Sequence, residues 1–174
     1  FFDYDLDNDL DMFLLNHSIH SKGTYGHIEL RNKRDVEVGD KLYRNDNGRF
    51  IDVTTESGIY ESILGYGLGV AVGDINWDGY PDIYISNDFH EDDYYYINNQ
   101  DGSFKETLNT AFSTLSRFSM GSDAADINGD GYQDLVTLDM LPEDEKVIKE
   151  SEGDDAMYNM QKRLKKLGYK EQYA

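Results

Sequence analysis

The stretch Asp74-Ile75-Asn76-Trp77-Asp78-Gly79-Tyr80-Pro81-Asp82 decides how the chain is read, because its pattern occurs twice more. Asp126 to Asp134 reads DINGDGYQD, and Asp3 to Asp11 reads DYDLDNDLD. Each segment has Asp or Asn at positions 1, 3 and 5 and Asp at position 9. Position 6 is Gly79, Gly131 or Asn8, residue types that accept a positive φ. A short loop of this kind wraps a hard cation. Alternate side chains converge from one side, the position-7 carbonyl adds an oxygen, and the sharp turn brings round the last carboxylate. The expected ligands are Asp3, Asp5, Asp7, Asp9 and Asp11; Asp74, Asn76, Asp78, Tyr80 and Asp82; and Asp126, Asn128, Asp130, Tyr132 and Asp134. Asp9, Tyr80 and Tyr132 would each supply the carbonyl. An all-oxygen set on a flexible loop favours Ca²⁺ over transition metals and over Mg²⁺, so about three Ca²⁺ ions are expected. Acidic β-turns share this composition, but three copies in one phase are not expected of turns alone.

An EF-hand fails as an alternative. It needs a bidentate Glu at position 12, where this chain has Leu14, Ile85 and Thr137, and it needs a helix after the loop. The loops lead instead into Met12-Phe13-Leu14-Leu15, Ile83-Tyr84-Ile85-Ser86 and Leu135-Val136-Thr137-Leu138, short apolar runs of strand type. The loop therefore joins two strands. Around the second loop, strands are expected at Gly69 to Gly73, Ile83 to Asn87, Tyr94 to Ile97 and Ser103 to Glu106, the content of one propeller blade. Around the first, Lys41 to Asn45 and Arg49 to Val53 flank the Asp46-Asn47-Gly48 turn, a strong hairpin signal. Around the third, Gly121 to Asp126 repeats Gly69 to Asp74.

The expectation is an all-β fold, a β-propeller segment of about two and a half four-stranded blades. Blade one takes 1–53, with its first strand truncated and an insertion at 16–40; blade two takes 66–107. Blade three takes 119–174, with a helical insertion at about 143–168 and a third strand beginning at Gln172-Tyr173-Ala174. Met157, Met160, Leu164 and Leu167 give that insertion helical spacing, and Gly168 suits a C′ cap. A helix packed onto the propeller face is the expected use.

Composition narrows the function. With 35 Asp plus Glu against 16 Lys plus Arg, the net charge of −19 over 174 residues leaves no basic footprint for nucleic acid. The absence of Cys excludes disulfides, zinc–thiolate sites and thiol catalysis. No apolar run approaches the ~18 residues of a membrane span, so direct membrane insertion is not expected. The chain opens on Phe1, and a leader is expected outside it.

At these residues the chain resembles the FG-GAP/VCBS repeat proteins, the calcium-loop β-propellers also found in integrin α-subunit heads. Gly67-Leu68-Gly69-Val70-Ala71-Val72-Gly73-Asp74, Leu42-Tyr43-Arg44-Asn45 and Thr137-Leu138-Asp139-Met140-Leu141-Pro142-Glu143 are similar to the bacterial branch related to cartilage acidic protein and UnbV. The resemblance implies a seven-bladed ring, structural Ca²⁺ on the blade hairpins, export, and roles in adhesion or glycan contact. Asn8 departs from the family glycine.

Other features are weaker. His17, His20 and His27 lie in the first insertion and are expected to be solvated; Asn16-His17-Ser18 is a glycosylation sequon. Gly65, Gly67, Gly69 and Gly73 miss the GxGxxG spacing, and no P-loop, GxSxG, HExxH or kinase signature occurs. His90-Glu91-Asp92-Asp93 has no nucleophile beside it in sequence and reads as a solvated acidic connection. The expected function is therefore non-enzymatic: a calcium-binding propeller region of an extracellular, cell-surface or periplasmic protein that binds a protein or glycan. The alternative is the propeller part of a polysaccharide lyase or hydrolase.

Overall fold

The computed structural model describes residues 1–18, 28–88, 91–116, 118–139, 162 and 165–168. Its strands are β1 (Met12–Leu14), β2 (Lys41–Asp46), β3 (Arg49–Asp52), β4 (Gly67–Gly73), β5 (Asp82–Asn87), β6 (Tyr94–Asn98), β7 (Phe104–Glu106), β8 (Ser119–Ala125) and β9 (Asp134–Asp139). They form three antiparallel sheets in chain order, β1-β2-β3, β4-β5-β6-β7 and β8-β9. A Phe2–Asp11 bridge extends the first sheet beside β1. The β2–β3 connection is the two-residue turn Asn47-Gly48, with φ of 55° and 91°, the positive pair that a twisted hairpin needs.

Both faces of the second sheet are buried, which explains its run of three tyrosines. Side chains alternate across a strand. Ile83, Ile85, Tyr94 and Tyr96 therefore face one way and pack with Tyr4, Leu42 and Val53 of the first sheet region. Tyr84 and Tyr95 face the other way with Ala71, toward Ala124 and Leu135 of the third sheet. Each such burial is worth roughly 1.5–3 kcal/mol, provided the hydroxyls are satisfied. They are. Tyr84 and Tyr94 donate to Asp93 and Glu91 at 2.6 Å, Tyr95 donates to Asp82 at 3.3 Å, and Tyr96 accepts from the Tyr60 N–H at 3.2 Å.

The first strands of the second and third sheets, β4 and β8, share one irregularity. Pairing shifts between Gly67 and Gly69, and again between Ser119 and Gly121. A Cβ on Gly69 would lie 2.7 Å from Gly121 Cα and 3.0 Å from Ser122 N, so the sheets meet there backbone to backbone. A Cβ on Gly121 would meet nothing within 4 Å. Gly69→Ala is therefore expected to lose about 1–3 kcal/mol in urea unfolding, while Gly121→Ala stays near wild type. Equal losses would contradict the packing.

The acidic connection after β5 is the clearest departure from expectation. Glu91 is 3% exposed and Asp92 1%, and Asp88 and Asp93 are buried too. The cause is Arg31, which the first insertion delivers in a 3₁₀ turn, Ile28–Asn32. Its Nε bonds Glu91 and its Nη2 bonds Asp92 at 2.8 Å. Asp93 accepts from Tyr84, from the Asn87 N–H at 2.7 Å and from Ser119 of β8 at 2.9 Å, tying the second sheet to the third. Burial raises its pKa to about 6 despite these donors.

The first insertion also lies along the 54–66 connection, through bridges His17–Tyr66 and Arg34–Ser62. His17 is exposed and its ring lies tilted against that of Tyr66, with centroids 5.0 Å apart; His20 and His27 lie outside the described residues. Asn16 Nδ2, the sequon nitrogen, donates to Gly39 O at 2.8 Å, and Ser18 is buried, so the sequon is folded in. Most of the expected helix at 143–168, and the strand expected at 172–174, lie outside the described residues. Within that helix Lys162, Lys165 and Lys166 are helical, Gly168 has φ 93°, and Leu167 packs near Leu64. Among the described residues no helix is long and apolar enough to cross a membrane.

Candidate metal centre

All three acidic loops close on the same hydrogen bonds. The position-1 carboxylate accepts the N–H groups of positions 5 and 6. Asp3 takes Asp7 and Asn8 at 3.1 and 2.9 Å, and Asp74 takes Asp78 and Gly79 at 2.9 Å each. Asp126 takes Asp130 and Gly131 at 3.1 and 2.9 Å. The position-5 carboxylate then accepts the position-7 N–H, as Asp7 does from Asp9, Asp78 from Tyr80 and Asp130 from Tyr132. In loops two and three the position-3 amides, Asn76 and Asn128, accept the N–H of Asp78 and Asp130. Position 6 has the expected positive φ, 75° at Asn8 and 92° at both Gly79 and Gly131.

Position 4 is a second left-handed site that the sequence did not announce. Leu6, Trp77 and Gly129 have φ of 61°, 64° and 78°. Only Gly129 carried a sequence signal, since Leu and Trp are disfavoured there. A second unread feature is an Asn at or next to the C-terminal end of β2 and of β6. Asn45 and Asn98 donate their N–H to Asp11 and Asp82, at 2.8 and 3.0 Å. Their side-chain amides hold loop carbonyls, Asn45 that of Leu10 and Asn98 those of Pro81 and Tyr4. Asn98 thus links the second blade to the first loop. Both asparagines come two residues after a tyrosine, and that shared spacing was the available signal.

The electrostatics differ between ligand positions. Burial raises Asp5, with the Asp7 charge adding to it. Burial also raises Asp11 and Asp82, opposed by the N–H groups they accept. Asp78 goes the other way: donors from Tyr80, Asn76 and Gln100 outweigh its burial and lower it. In the first loop, one oxygen from each of Asp3, Asp5 and Asp11 falls within 4.8 Å of the others. Asp5 Oδ1 and Asp9 Oδ1 are buried there without a hydrogen-bond partner. Buried anionic oxygens left without a donor are what a cation would satisfy, so the donor set fits one.

The family model for the FG-GAP-like repeat matches residues 3–85 and again 80–137, a span that contains all three loops. The chain belongs to the FG-GAP-like repeat family. No curated protein matches it in sequence. In this FG-GAP chain the repeated unit is a loop between the first two strands of a blade, and the sheets around it are those of an all-β propeller.

Proposed function

We propose that the chain is a calcium-binding, non-enzymatic propeller region of an exported protein, holding a protein or glycan partner on a scaffold that the ions stiffen. The observation that carries the calcium reading is the first loop, where three carboxylates converge and two buried oxygens lack any donor. Asp3, Asp5, Asp7 and Asp11 would hold an ion there with the Asp9 carbonyl. The matching hydrogen bonds of the other two loops extend the reading to Asp74, Asn76, Asp78, Tyr80 and Asp82, and to Asp126, Asn128, Asp130, Tyr132 and Asp134. Extracellular calcium modules work at roughly 10⁻⁴–10⁻³ M, concentrations absent from resting cytosol, which favours export.

Equilibrium dialysis against Ca²⁺ at millimolar concentration is expected to give about three ions per chain. Asp78→Ala and Asp130→Ala should each remove one. No bound ion, or a count unchanged by both substitutions, would overturn the reading.

A further inference from the structure

Trp77 is the chain's single tryptophan, and it is 62% exposed on a loop tip. It sits in the left-handed region, at φ 64°, where a bulky side chain is strained. Its ring centroid lies 4.6 Å from that of Tyr132, itself 50% exposed, with the planes tilted by 53°. The two rings come from corresponding loops of neighbouring blades. Both loops are clamped by the hydrogen bonds of Asp74 and Asp126, so the pair is held by backbone and not by a mobile tip. Two neutral amides lie at the loops that carry it. Gln133, next to Tyr132, lies with its side chain against Gly73, and Gln100 reaches Asp78, next to Trp77.

We propose that Trp77 and Tyr132 form a stacking platform for a neutral pyranose, with Gln100 and Gln133 as hydrogen-bond partners for its hydroxyls. A pyranose has one face of C–H groups that lies well on an aromatic ring, and an edge of hydroxyls that amides can pair in either sense. Tyrosine and tryptophan suit such a surface because they offer broad contact and lose little side-chain freedom. Charge selects among sugars. With −19 on the chain, an excess that three bound Ca²⁺ would lower only to −13, an acidic polysaccharide would be repelled. The platform deepens the glycan half of the proposed function. It rests on the calcium reading only for the stiffness of its two loops.

Because Trp77 is the sole indole, its emission reads the site directly. Titration with chitohexaose or cellohexaose in calcium buffer is expected to give a saturable change in that emission, with heparin giving none. Tyr132→Ala keeps the reporter and is expected to weaken binding about tenfold, as loss of an aromatic anchor does. Trp77→Gly places at position 4 the residue that Gly129 already supplies in the third loop, so the backbone accepts it. It should abolish retardation in gels containing soluble chitin or cellulose derivatives while leaving the melting temperature and bound calcium unchanged. No response to either neutral oligosaccharide would overturn the proposal. So would saccharide binding that survives both substitutions, or binding only to heparin. Retained binding in protein that takes up no calcium would keep the platform and reject the calcium reading.

Discussion

Arg31→Met is expected to cost the fold about 3–5 kcal/mol, read as a lower urea midpoint at unchanged slope. Arg31 is the guanidinium that bonds both Glu91 and Asp92, whose side chains are each only 1% exposed. It also lies over the Tyr94 ring at 5.8 Å, while the Tyr94 hydroxyl donates to the same Glu91 oxygen. Burial raises the Glu91 pKa, and Arg31 is the largest influence opposing it. Removing the guanidinium leaves that carboxylate in a dry site with its strongest counter-charge gone. Its cheapest response is to take up a proton.

That response sets the sign of the pH dependence. A carboxyl whose folded pKa is raised contributes stability at low pH and loses it as pH rises through that value. The deficit of the variant should therefore be smaller at pH 5 than at pH 8. Adding Glu91→Gln should recover part of it at pH 8, since a neutral amide can still accept from Tyr94. A loss under about 1 kcal/mol at pH 8, the usual worth of an exposed pair, would show that the network is solvated.

That network also marks where the sequence stops being legible. The cation loops were readable because their physics is local: side chains at positions 1, 3, 5 and 9 serve N–H groups within the same nine residues. The strands were readable because both-face burial leaves a mark in Ile83-Tyr84-Ile85 and Tyr94-Tyr95-Tyr96. The connection at 88–93 carries no such mark. Its carboxylates look solvated because their partner, Arg31, lies about sixty residues upstream in an insertion with no regular pattern. The close approach of Gly69 to Gly121 is equally non-local, and from sequence both glycines look like ordinary strand residues. Position 4 of the loop was hidden for a different reason. Loop closure forces Leu6 and Trp77 into a conformation their own preferences oppose, so composition pointed away from it.

Calcium and pH should act on stability in opposite directions, and their combination gives the other large effect. At pH 7.5, protein in 10 mM Ca²⁺ is expected to melt about 10–30 °C above protein in metal-free buffer. Each site contributes roughly 1.4–2.7 kcal/mol at ten to a hundred times its dissociation constant, and each kcal/mol moves a domain of this size by about 2–4 °C. Without metal, acid should help. Burial raises Asp40 to about 7 and Asp93 to about 6, well above their unfolded values near 3.8. Stability from such groups is full below the unfolded value and is lost as pH rises through the folded one. Metal-free protein should therefore gain stability as pH falls from 8 to 5, with Asp40 alone supplying about 2–3 kcal/mol over that range. Protons compete with the ion for the loop carboxylates, among which burial already raises Asp5, Asp11 and Asp82. The calcium increment should accordingly shrink over the same range, and the two melting curves should converge toward pH 5. Asp40→Asn separates the causes. Asp40 accepts the Asn16 N–H at 2.9 Å, and its shift comes from burial, with no loop carboxylate contributing. Its replacement should flatten the metal-free curve while leaving the calcium increment at pH 7.5 intact. Equal melting temperatures with and without calcium at pH 7.5 would defeat the calcium reading, whereas metal-free stability that rises from pH 5 to 8 would defeat the buried-carboxyl account alone.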